Sequence, residues 1–151
     1  MNQSEITEIL NRPTSQELLA RDLTRLAYVA KDGTPRNVPI AFTWNGSEIV
    51  LCTTTNATKL HALRNDPMVA LTIDTEVHPP KLLLIRGRAT LDGNVEHVLD
   101  LLERVHRKYN QAMTVEGVRE AMRGQASKRV LVRIHPEHVS SWDHRKLGGV
   151  Y

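Results

Sequence analysis

The sequence predicts a mainly β fold of the α+β class, six antiparallel strands closed into a small barrel with a few helices around it. Two observations point there. Asp32-Gly33 and Asn45-Gly46 each sit between β-rich runs, and such dipeptides tolerate the positive φ that tight hairpins need. The helical segments are also too few to cover both faces of a parallel sheet, which leaves an antiparallel barrel.

The elements follow in order. Ser4 and Glu5 with apolar Ile6, Ile9 and Leu10 suggest a short first helix stopped before Pro13, and Ser15 begins a second through Leu18 and Leu19. Residues 23–55 read as a meander of three strands around the two Gly turns. An amphipathic helix over 57–65 ends at Pro67, and MVALTID, 68–74, forms a fourth strand. The prolines of TEVHPPK exclude a central strand. LLLIRGRATL, 82–91, is a fifth, and its leucines on both faces predict burial. Val95, Val98, Leu99, Leu102, Val105 and Tyr109 make a helical stripe. Thr114 opens one more helix, which Gly124 closes. RVLVRIHPEHVSSW, 129–142, is the sixth strand, bent or at an edge near Pro136.

Bulk properties narrow the function. At 151 residues the chain is most simply one domain, long enough to bury about two thirds of its unfolded surface. The net charge of +3 is dispersed, without the basic stripe that nucleic-acid binding requires. Cys52 is alone, so a disulfide within the chain or a thiolate metal cluster is excluded. The first residues lack a secretory signal pattern, and the apolar runs fall short of a membrane span, so the expected compartment is the cytoplasm. The HPEH stretch at 135–138 lies on a strand-to-loop passage without a helical His-Glu motif beside it, so no metal site is assigned.

One stretch carries chemistry. In CTTTNATKLHALRNDP a strand ends in hydroxyls where a short helix starts. With Asn56 as the cap, first-turn N–H groups lack partners within the helix and share its positive end, a natural anion site. Lys59 leans back toward the same point, and Thr53, Thr54 and Thr55 add hydroxyl donors. The same residues are also ordinary strand, cap and surface residues.

The order of motifs decides between these readings. A strand ending in "A-x-DG-x-P", then "VP", an aromatic strand, Thr and Lys, "LRNDP", an apolar strand and "RGRA" resembles the pyridoxamine 5′-phosphate oxidase-like, flavin-binding split barrels. The likeness covers 18–91 well and 129–142 loosely. It implies FMN at the interface of a homodimer, with Thr53 and Lys59 on the phosphate and Thr54, Thr55 and Asn56 beside them. The family's usual hydroxyl two residues before the lysine is Ala57 here. Arg36, Val38, Pro39 and Ile40 match the strand along the isoalloxazine. Pro39 has no N–H, which leaves Val38 and Ile40 as backbone donors. Arg86 is a further candidate contact, though it and Arg88 could instead pair with Asp74 or Glu76, and Trp142 could pack over the partner subunit's flavin. The resemblance implies a flavin-dependent oxidoreductase acting on a small molecule. Two alternatives stand beside it: the deazaflavin coenzyme F420, with Lys31, Arg36, Lys59 and Arg64 along a basic channel, and a non-catalytic flavin or haem binder. No acid–base pair stands out, and none is obligatory for flavin reduction.

Overall fold

The computed structural model describes residues 1–109 and 115–147. Its elements are α1 (Gln3–Leu10), α2 (Pro13–Leu19), β1 (Leu23–Val29), β2 (Pro35–Trp44), β3 (Ile49–Thr54), α3 (Thr58–Asn65), β4 (Met68–Asp74), β5 (Lys81–Asp92), α4 (Val95–Tyr109), α5 (Val115–Ala126) and β6 (Arg129–Asp143), with a 3₁₀ turn at His144–Leu147. The strands close into a barrel in the order β1-β2-β3-β6-β5-β4. Every neighbouring pair is antiparallel, as the hairpin signals require. Gly33 and Gly46 hold φ of +81° and +104° at the two turns. No helix among the described residues is long and apolar enough to cross a membrane.

Strand alternation fills the interior. Leu26, Ile49, Leu51, Leu71, Ile73, Leu83, Ile85, Val132 and Ile134 point inward, and Ile6, Leu10, Leu18, Leu19, Leu60 and Leu63 from the first three helices join the same core. Outside the barrel, Val50 and Leu131 pack under Val98, Leu99 and Leu101 of α4 and Ala126 of α5. β3 is therefore covered on both faces. β5 is not: its inward Leu83 and Ile85 are fully buried, whereas outward Leu84 is 37% exposed. The expectation of burial on both faces fails there because no element among the described residues covers Leu84.

Several boundaries differ from expectation for local reasons. Asn2, two residues before Ser4, caps α1 in a reciprocal capping box with Glu5. Pro13 does not merely stop α1; it opens α2 at a first-turn position where its missing N–H costs nothing. α5 runs through Gly124 to Ala126 rather than ending at the glycine, and Thr114 lies outside the described residues. β6 passes Pro136 unbroken by means of a bulge: Arg86 faces His138, Gly87 faces Pro136, and Glu137 has no counterpart.

A polar chain ties the barrel's outer layer together. Arg133 bonds Asp92 at 3.0 Å and Glu48 at 3.1 Å, while His97 and His135 extend it at 2.8 and 3.1 Å. Burial opposes ionisation of Asp92, but the Asn94 N–H, His97 and Arg133 together hold its carboxyl below the usual range. The HPEH histidine nearest this chain, His135, thus sets its Nδ1 beside the Glu48 carboxylate.

The bulge makes a sharp prediction. A Cβ on buried Gly87 would lie 2.0 Å from the His135 carbonyl oxygen, whereas one on Gly124 would meet nothing within 4 Å. Gly87→Ala should therefore lower stability by about 1–3 kcal/mol through overpacking. Gly124→Ala should raise it by about 0.5–1 kcal/mol, the helix-interior cost of glycine. Urea unfolding of both variants checks the opposite signs.

Candidate functional site

The barrel is incomplete between β2 and β3. β2 pairs with β1 over Pro35–Ala41 but with β3 only through Phe42, Thr43 and Trp44. Below that seam, residues 35–41 of β2 and 52–54 of β3 face a slit without ladder partners. The register identifies which backbone groups line it. Phe42 donates to the Asp22 carbonyl and Ala30 to the Thr34 carbonyl, so the even-numbered residues of β2 exchange hydrogen bonds with β1. The amides of Val38 and Ile40 consequently turn into the β1 ladder, contrary to the sequence expectation. Asn37 and Ala41 present their N–H groups to the slit instead. Pro39 shares their parity, where a missing N–H removes no ladder bond. That parity was available from the sequence in the position of the proline.

Side chains on β2 divide the same way. Val38 and Ile40 pack against the interior core, while Asn37, Pro39 and Ala41 are exposed on the outer surface. Arg36 does not extend along the slit. Its guanidinium folds back onto the turn, bonding Thr34 and Asp32, the latter at 3.2 Å. The Thr34 hydroxyl and N–H, then Arg36, hold the Asp32 carboxyl below its usual range.

At the head of the slit the chain passes from β3 into α3. Thr53 faces inward and is buried, Thr54 faces outward, and Lys59 places its Nζ 3.2 Å from the Thr53 hydroxyl. Thr55 is held apart by its own amide, which donates to the Lys128 carbonyl. The three threonines therefore do not converge; Thr53 is the one Lys59 meets. Asn56 is not the cap. A turn in which the Ala57 N–H bonds the Thr54 carbonyl shifts the start by one residue, so Ala57 takes that position with no side-chain cap. The consequence favours an anion site: among the described residues the Thr58 and Lys59 amides have no hydrogen-bond partner and Lys59 has no carboxylate. Both amides lie at the positive end of the helix.

Beside this corner a cavity of about 480 Å³ opens between the β1–β2 turn and α3, lined by Tyr28, Lys31, Arg36, Thr58 and His61 among others. Tyr28 is not among the residues expected at the site, and His61, expected in solvent, lines the cavity instead. The spacing Thr58–His61, one helical turn, was the available signal.

Arg86 and Trp142 lie on the far wall, which β4, β5 and the end of β6 form across the barrel from the slit. Arg86 is exposed opposite His138. Asp74 pairs with Arg25 and Arg88 with Glu137 at 3.6 Å, so neither expected pairing of the two arginines with Asp74 forms. Trp142 is 48% exposed beside Leu82. A single chain does not bring these two residues to Lys59.

The sequence profile of pyridoxamine 5′-phosphate oxidase matches residues 12–143. The chain belongs to the pyridoxamine 5′-phosphate oxidase family. A search of curated proteins finds no match. Among solved structures, the conserved hypothetical protein Rv2991 from Mycobacterium tuberculosis is 28% identical, with a TM-score of 0.75 over 100% of this chain and 90% of that one. An F420 reductase is 23% identical at a TM-score of 0.65, covering 83% of this chain and 94% of its own. The haem storage protein HutZ from Vibrio cholerae is 18% identical at 0.62, covering 91% and 92%. The last two share the fold of this family member.

Cys52, one residue before Thr53, points outward under α4. Burial pushes its thiol above the usual range, and the neighbouring Arg129 only partly offsets this. It is therefore a protonated thiol near neutrality. Alkylation of Cys52 by iodoacetamide should rise with pH to a midpoint above that of free cysteine; a lower midpoint would reveal an activated thiolate.

Proposed function

We propose that this family member is a flavin-dependent oxidoreductase that uses FMN and acts on a small molecule. The observation that carries the reading is the corner where Thr53, Lys59 and the spare Thr58 and Lys59 amides offer converging donors at the head of an open slit. The donor set suits a dianionic phosphate: two N–H groups, one ammonium and one hydroxyl, with no competing carboxylate beside Lys59 among the described residues. A bound flavin supplies the hydride chemistry. The chain's own residues bind and orient. Lys59 and the α3 amides hold the phosphate, with Thr54, Thr55 and Asn56 at the rim. The Asn37 N–H and the Asn37 and Pro39 carbonyls meet the polar edge of the ring, while Val38 and Ile40 anchor that strand from inside. Arg36 stiffens the turn that borders the ring.

Dimerisation completes the proposal. Leu84 and Trp142 leave an apolar patch on the wall opposite the slit, and a two-fold pair can set the wall of one copy against the slit of the other. Arg86 and Trp142 of the partner would then reach the cofactor. Light scattering behind size exclusion should give twice the 17.1 kDa chain mass.

A second reading, the deazaflavin coenzyme F420, is favoured by the cavity lined by Lys31 and His61 next to Thr58, where Arg36 offsets the charge of Asp32 and Lys31 is left for a longer anionic tail. The absorption spectrum of the purified protein separates the two, since a flavin shows two bands and the deazaflavin one between them. Reduction by nicotinamide no faster than that of free flavin would instead indicate a binding protein. Lys59→Ala should weaken FMN binding by about 1.5–3 kcal/mol, the range for a charge-assisted hydrogen bond. Titration calorimetry measures it, and an unchanged affinity would remove Lys59 from the site.

A further inference from the structure

At the closed end of the slit, α4 lies over the outer surface of β3 and β6 and, beside the end of β2, leaves a crevice of about 190 Å³. Its walls are Val50, Leu101, Leu102 and Val105, and Arg129 stands at its border. We propose that this crevice binds a small amphipathic carboxylic acid, its apolar body between the α4 leucines and Val50 and its carboxylate on Arg129. As a ligand the acid is independent of the cofactor reading; as the substrate it rests on it.

Three features support this. The size is right: an apolar cavity of about 150 Å³ takes a benzene ring, so this crevice holds a ring or chain of six to eight carbons. The charge is unbalanced. Half-buried Arg25, Arg119 and Arg133 all pair with carboxylates, whereas equally half-buried Arg129 has no carboxylate partner among the described residues and lies beside the Cys52 thiol. A partly desolvated guanidinium with its fork unfilled is the group that a carboxylate satisfies bidentately. No opposing charge lies alongside: none of the residues lining the crevice is acidic. The apolar walls alone would accept any small hydrocarbon; Arg129 selects an acid.

The test uses the full-length protein, with hexanoate and hexanamide as matched probes. Calorimetry should show hexanoate binding at least tenfold more tightly than hexanamide, and saturating hexanoate should slow alkylation of Cys52, the chain's single cysteine, several-fold. Arg129→Gln should reduce the preference to near unity. Arg104→Gln, which removes the same charge from the neighbouring cleft, should keep it. Ala41→Phe fills the crevice from an exposed position and should abolish both binding and protection while circular dichroism stays unchanged. Equal affinities for the acid and the amide, no binding at millimolar concentration, or binding without protection of Cys52 would each overturn the proposal. Failure of FMN to bind would leave these results untouched, so the two readings fail separately.

Discussion

Antiparallel pairing between β2 and β3 stops after three residues, and the rest of the site depends on that interruption. A closed barrel satisfies its backbone groups within the sheet and offers a ligand little but side chains. Here one stretch of β2 is secured by β1 on one edge and left with free polar groups on the other. Those groups are rigid because Val38 and Ile40 are packed into the core behind them. Fixed donors and acceptors of this kind need no reorganisation when a polar heterocycle arrives.

The short helix α3 leaves the head of the slit with spare donors through what it lacks. Ala57 cannot cap the helix, and the first amides remain without partners. A Ser or Asp at that position would gain about 1 kcal/mol of helix stability and would occupy an N–H that is here left for a ligand. Lys59 is held by Thr53 at 3.2 Å, so its ammonium is already placed. The far wall shows the complementary pattern, with apolar and cationic side chains but no covering element among the described residues. In the proposed dimer, slit and wall are the two halves of one site divided between two copies.

Much of this was legible in the chain. The two Gly turns, the alternation in 68–74 and 82–91 and the helical stripe from Val95 to Tyr109 determine element types because each rests on local periodicity or local φ. The misjudged details share one cause, competition from neighbouring residues. Asn56 is a better cap than Ala57 in isolation, but the turn closed by the Ala57 N–H moves the helix start. Gly124 is a good helix terminator, yet α5 continues to Ala126, where the side chain is buried against β6 and α4. The outward leucines of β5 were expected to be buried, yet among the described residues no helix covers Leu84.

By itself the sequence determined a six-stranded antiparallel barrel of this family and the meeting of Thr53 and Lys59 where β3 gives way to α3, since both follow from contiguous residues and their spacing. Tertiary structure alone decided which amides face the slit, that Arg36 is spent on its own turn, that Arg86 and Trp142 stand across the barrel, and that Arg129 borders an apolar crevice. Each of these depends on register or on packing between segments far apart in the chain, where pairing energies and not local preferences choose the arrangement.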